Sequence, residues 1–235
     1  MRNLVFDTSS IITITTNNLL WALPLLKERF KGEFIISKSI KQELIDVPIN
    51  SRKFELEAVI LAASLAKNDL TFYNNSANLD KKTSYLLDLA NNIFSVNGNP
   101  IKIVDRAEIE GLALTCILKS SAYVVDERTI RLLIEDYNSL AALLARKLNA
   151  RVDMNKANIA KFSREICNIP IIRSAELMVV AFELGFFDKY KIGDRFYKGG
   201  LNPHLLDGLL WGLRLRGCAI STQEIEDILK LEKFK

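Results

Sequence analysis

The sequence predicts an α/β fold, a three-layer α/β/α sandwich around a parallel sheet, followed by a helical C-terminal extension. Three observations carry this prediction. Short apolar runs alternate with helix-patterned segments over the first two thirds of the chain. Those runs are apolar throughout, as strands covered on both faces are, instead of alternating apolar with polar. Beyond about Asn155 the strand pattern stops and helical patterning continues. The division this implies is a core domain over residues 1–152 and a helical extension over 153–235.

Taken in order, Leu4, Val5 and Phe6 form the first strand, which ends at Asp7, and a Thr8-Ser9-Ser10 turn leads into a helix. Glu33, Phe34, Ile35 and Ile36 form the second strand. A helix follows over residues 37–45, with Ser39 and Gln42 matching a capping box. Residues 53–66 present a helical apolar face, 70–73 suit a strand or a loop, and 85–94 are helical. After the Asn97-Gly98-Asn99-Pro100 turn, residues 101–104 read as a strand. Asp105 then caps a helix reaching about Lys119, with Glu108 in its third position. Ala122 to Val125 is a buried strand ending at Asp126, and a helix begins at Glu127. A further helix over 141–149 precedes a strand near 150–152. The remainder is helical, broken by a loop over 191–200. Gly217 closes the helix that Pro203 starts, and a Ser221/Glu224 capping box opens the last one.

Composition narrows the function classes. At 235 residues, 49% hydrophobic and 26% charged, the chain can bury a core without a disulfide or metal staple. Cys116, Cys167 and Cys218 are widely spaced in apolar stretches, a pattern of buried thiols in a reducing compartment and neither a disulfide framework nor a zinc site. The first apolar run is interrupted by Asp7, Thr8, Ser9 and Ser10, so it has no signal-peptide core, and no run approaches a membrane span. A cytoplasmic location is therefore expected. The formal charge of +4 is too small to argue for nucleic-acid binding by itself.

The chemistry lies in carboxylates. Asp7 and Asp126 end two strands, and open parallel sheets build their sites at strand C-termini. Glu43, Glu108 and Glu110 stand near the starts of helices that follow other predicted strands, so the acids are expected at one edge of the sheet. Crowded carboxylates repel and call for a cation. With oxygen donors alone, that cation is Mg2+ or Mn2+. Such sites suit phosphodiester hydrolysis by a metal-activated water. An aspartate-nucleophile phosphatase would need a second Asp two residues after the first, where this chain has Ser9.

These residues, Asp7-Thr8-Ser9, Glu43 in Ile40-Lys41-Gln42-Glu43-Leu44, the stretch Ala107-Glu108-Ile109-Glu110-Gly111, and Val124-Val125-Asp126-Glu127-Arg128, resemble the PIN-domain nucleases, most of all their VapC-like prokaryotic and archaeal members. The resemblance covers roughly residues 1–150. It implies a parallel-sheet α/β/α sandwich in which Asp7, Glu43, Glu108 and Asp126 bind one or two Mg2+ or Mn2+ ions and cut RNA. Glu110 is a rival to Glu108, because residues two apart on a helix point about 200° apart and only one can face the metal. Thr8 and Ser9 occupy places where hydroxyls hold a carboxylate or a water, and Arg128 is positioned to touch substrate phosphate. An antitoxin protein, a homodimer and RNA are the partners implied. The long interval from Glu43 to Glu108 and the helical tail depart from the compact toxins of this family.

Each residue also has a purely structural use. Asp7 suits a turn that bonds its own backbone, Glu43 a solvated helix face, and Glu108 the cap that starts at Asp105. Arg128 and Arg131 fit a charged helix face as well as a phosphate contact. His204 reads as a capping or packing residue. The loop residues Arg195, Phe196, Tyr197 and Lys198 mix basic and aromatic character, which suits single-stranded RNA or simple anchoring. The Leu205, Leu206, Leu209 and Leu213 stripe reads as core or as a protomer interface. A non-catalytic PIN-like scaffold binding RNA or protein is the alternative to an enzyme.

Overall fold

The computed structural model describes residues 2–74, 76–166, 168–196 and 202–232. In chain order the elements are β1 (Asn3–Phe6), α1 (Thr8–Thr16), α2 (Ala22–Phe30), β2 (Glu33–Ile36) and α3 (Lys38–Lys41). The last of these widens into a π-helical turn, Gln42–Asp46, and a 3-10 turn, Pro48–Asn50. Then come α4 (Glu55–Ala66), β3 (Thr71–Phe72), α5 (Ala77–Asn91), β4 (Phe94–Val96), β5 (Asn99–Pro100), α6 (Arg106–Leu118) and β6 (Ala122–Val124). They are followed by α7 (Arg128–Glu135), α8 (Tyr137–Leu148), β7 (Asp153–Met154), α9 (Lys156–Ile166) and β8 (Ile171–Ile172). The chain closes with α10 (Ser174–Glu183), a 3-10 segment Asp188–Phe196, α11 (Asn202–Leu215) and α12 (Thr222–Glu232).

Five strands form one parallel sheet in the order β3-β2-β1-β6-β8. Leu4 and Phe6 of β1 enter one buried cluster with Phe34, Ile36 and Val124, whereas Val5 enters a second cluster with Ile35, Tyr123 and Val125. Alternate residues of each strand are thus buried on opposite faces, which is why β1 and β2 carry no polar residue after their first, Asn3 and Glu33. α1, α2, α10 and α11 contribute to the first cluster, and α5, α6, α8 and α9 to the second. Helices therefore cover both faces, an α/β arrangement compatible with three α/β/α layers. Among the described residues no helix is long and apolar enough to cross a membrane.

Several expected elements differ. Residues 101–104 make no strand. Ile103 and Val104 instead donate their N–H groups to Asn91 Oδ1 at 2.8 and 3.1 Å, so a side chain takes the place of a ladder. The strand in this region is β4, beginning at Phe94 where a helix end was expected. It pairs antiparallel with β5 across Asn97 and Gly98, whose φ values of 50° and 80° fit the left-handed turn that Asn-Gly favours. The strand expected near 150–152 falls at β7 and joins β4 in this small sheet, outside the parallel one. Ser39 does not cap its helix. Ser37 does, accepting from Ile40 N, because the helix starts directly from the end of β2.

The segment 153–235, expected to be helical apart from one loop, contributes β8 to the central sheet beside β6, and α10 follows it directly. The sheet therefore draws on both sides of residue 152. Predicted features that hold include the Ser221/Glu224 capping box, with N–H bonds of 2.8 and 3.1 Å, and the left-handed Gly217 at φ 123°. Cys218 is buried, as expected, and burial pushes its thiol up to about 12. Cys116 is only half-buried. Cys167 and residues 197–200 of the expected loop lie outside the described residues, whereas Asp188–Phe196 is 3-10 helical.

Candidate active site

β1 and β6 lie side by side at the point where the strand order reverses, and in open parallel sheets the crevice beyond such a switch point is where ligands bind. Asp7 leaves β1 there and caps α1. Its Oδ2 accepts from Ser9 N at 2.9 Å and Ser9 Oγ at 2.5 Å, and its Oδ1 accepts from Tyr123 Oη at 3.1 Å. Burial raises the Asp7 pKa, the Ser9 and Tyr123 hydrogen bonds oppose that rise, and Glu43 adds to it. The Ser9 hydroxyl also accepts the N–H groups of Asp126 and Glu127 at 3.1 and 3.2 Å, which ties the ends of β1 and β6 together.

Tyr123 sits fully buried in the middle of β6, its hydroxyl between Asp7 Oδ1 and the Glu108 carbonyl, 3.2 Å away. Gly111 on α6 makes room for it, since a Cβ there would lie 2.5 Å from the Tyr123 hydroxyl oxygen. A buried phenol needs a partner, and this one holds the carboxylate that ends the neighbouring strand.

Glu43 is exposed on the π-helical turn, a wide geometry that recurs where side chains are re-aimed at sites. Its Oε2 accepts from Thr8 Oγ1 at 2.9 Å. Glu108 is half-buried in the first turn of α6, where its Oε2 accepts the Asp105 N–H at 2.7 Å. Burial, opposed by that N–H and reinforced by the charges of Asp7, Glu127 and Asp105, raises Glu108 to about 7. Asp7, Glu43, Glu108 and Glu127 thus share one electrostatic field.

The other predicted acids are engaged elsewhere. Asp126 is fully buried and gives both oxygens to Ser174 at the start of α10, accepting its N–H at 2.7 Å and its hydroxyl at 2.6 Å. Glu110 is buried against Ser39, whose N–H and hydroxyl donate to it at 3.2 and 2.6 Å, fastening α6 to α3. Arg128 is exposed at the first position of α7. Sequence reasoning passed over Glu127, which caps α7 by accepting the Ile130 N–H at 2.8 Å and whose charge reaches Glu108. It also passed over Tyr123, a lone phenol in an otherwise aliphatic strand.

The donor chemistry suits a hard divalent ion, because the groups are carboxylates whose charged forms burial and mutual repulsion disfavour, and a cation relieves both. Their convergence is incomplete: among the described residues no three Asp, Glu, His or Cys side chains come close enough to hold one ion. No family model, curated protein or solved structure matches the chain.

Proposed function

We propose that the chain is a Mg2+- or Mn2+-dependent ribonuclease of the PIN-domain kind, a toxin-type endoribonuclease or an RNA-processing nuclease. One observation carries this reading. At the switch point of a parallel sheet, Asp7 and Glu108 are both raised, mainly by burial, with Glu43 adding to the rise at Asp7 and Asp7 and Glu127 adding to it at Glu108. Asp7, Glu43 and Glu108 would have to draw together to hold the ion, with Glu127, which also caps α7, as the fourth carboxylate in place of Asp126. A bound Mg2+ or Mn2+ supplies an activated water and neutralises charge on the phosphate. The chain's own groups set the geometry: Ser9 and Tyr123 fix the two oxygens of Asp7, Thr8 orients Glu43, and the Asp105 N–H holds Glu108. Asp126 positions α10 against the end of β6. RNA is the substrate class, a homodimer is the assembly expected of such an enzyme, and an antitoxin, where one exists, would cover the carboxylates.

The specific observation favouring the other reading, a non-catalytic scaffold, is the incomplete convergence of the acids. Cleavage of a labelled single-stranded RNA pool in Mn2+, Mg2+ or EDTA separates the two. The nuclease reading expects metal-dependent cutting that Asp7→Asn and Glu108→Gln abolish. No cutting with either metal, or cutting that survives both substitutions, overturns it.

A further inference from the structure

A cleft of about 370 Å3 opens between α7, the end of α11 and the start of α12. Arg128 and Arg131 line it from the first turn of α7, Arg214 from the last turn of α11, and Ser221 and Glu224 from the start of α12. The starts of α7 and α12 meet at this cleft already capped, α7 by Glu127, which accepts the Ile130 N–H at 2.8 Å, and α12 by the Ser221/Glu224 box, so the positive charge of the cleft is that of the three guanidinium groups.

Among the described residues the cations lining this cleft outnumber its carboxylates, three arginines against Glu224, which also meets the buried Arg173 at 2.8 Å, a guanidinium it shares with Glu176. The contact of Arg131 with Glu135 is long, at 3.6 Å. Arg128 and Arg214 form no ion pair among the described residues. Two of the guanidinium groups are nonetheless held in place. Arg131 Nη1 donates to Ala219 O at 2.9 Å, and Arg214 bonds Thr222 Oγ1 while lying over the Trp211 ring at 4.9 Å. Arg131 and Arg214 are thereby fixed, Arg128 and Arg214 have no carboxylate partner among the described residues, and a planar guanidinium fork can meet two oxygens of one phosphate group.

The cleft adjoins the carboxylates. Arg128 directly follows Glu127, and the Ala219 N–H donates to the Asp126 carbonyl at 3.1 Å, fixing the cleft wall to the end of β6. A chain of phosphates whose reacting group faces the acids would thus set a neighbouring group among the arginines.

We infer that this cleft binds a backbone phosphate of single-stranded RNA, which gives α11 and α12 a part in holding substrate. The phosphate chemistry stands on the arginines; the choice of RNA rests on the ribonuclease reading above.

The test is fluorescence anisotropy of a short labelled single-stranded RNA in EDTA, where metal-dependent cutting is off. Wild type is compared with Arg128→Ala, Arg214→Ala and the control Arg151→Ala, an arginine 91% exposed beside the small sheet. Each cleft variant is expected to weaken binding about five- to tenfold near 0.1 M salt and to lower the log–log salt slope by about one, with the control unchanged. Arg128 is exposed, so its substitution keeps the test valid even if Arg214→Ala disturbs the fold. Wild-type affinity in both cleft variants, no RNA binding by wild type, or displacement of RNA by inorganic phosphate at equal phosphate concentration overturns the assignment. Cleavage in Mn2+ is scored separately at saturating RNA, so a dead nuclease with arginine-dependent binding refutes the catalytic reading alone.

Discussion

Replacing Glu108 with Gln should change how stability depends on pH, and the sign follows from the structure. Glu108 stands at about 7 in the folded protein against an ordinary 4.5, with burial as the main cause. Below pH 4.5 the group is protonated whether the chain is folded or not, so it costs nothing. Between pH 4.5 and 7 the unfolded chain ionises first, and the stability present at low pH is lost as pH rises, until above 7 the penalty is complete. At face value the interval is worth about 3.4 kcal/mol. Glu108 is half-buried, and screening by water reduces this to about 1 to 2 kcal/mol. Gln keeps an oxygen for the Asp105 N–H, so the α6 cap survives while the titration disappears. Asp7, also raised, remains in both proteins and largely cancels from the comparison. Metal-free thermal melts from pH 4 to 8 should therefore show Glu108→Gln gaining on wild type by about 3 to 6 °C across the window. Parallel curves, or a variant that loses ground as pH rises, would refute the reasoning.

Further expectations concern the supports of the site. Gly111→Ala places a methyl against the fixed ring of Tyr123 and should destabilise by about 1 to 2 kcal/mol despite the better helix propensity of Ala. Tyr123→Phe, which removes the oxygen 2.5 Å from that methyl, should recover at least about 0.5 kcal/mol in a double-mutant cycle, and strict additivity would contradict the contact. Ser174→Ala removes the hydroxyl 2.6 Å from buried Asp126 and should cost about 1.5 to 3 kcal/mol in urea unfolding. A loss below about 0.5 kcal/mol would mean that the Ser174 hydroxyl does not hold Asp126.

β1, β2 and β6 were readable because each is buried on both faces, so Leu4–Phe6, Phe34–Ile36 and Ala122–Val124 are runs with no charged residue. β8 escaped, since Ile171 and Ile172 are only two residues between Pro170 and Arg173, and their pairing with Tyr123 and Val124 comes from a segment almost fifty residues away. Residues 101–104 failed for the opposite reason. Ile101, Ile103 and Val104 have strand composition, but Asn91 satisfies the backbone there. Ser39 looked like a cap because its local spacing fits one, whereas its hydroxyl is drawn to Glu110, 71 residues on. Among the acids, position after a strand identified Asp7 and Asp126 but not Glu127. The partner that takes up Asp126 is Ser174, a residue whose place depends on β8 and was therefore invisible.

The central claim is that the carboxylates beyond β1 and β6 hold a divalent cation, and titration of Mn2+ followed by the electron paramagnetic resonance of the free ion tests it without RNA. Saturable binding is expected in wild type, weakened at least about tenfold by Asp7→Asn and by Glu43→Gln. No saturable binding at millimolar Mn2+, or binding indifferent to both substitutions, would contradict it.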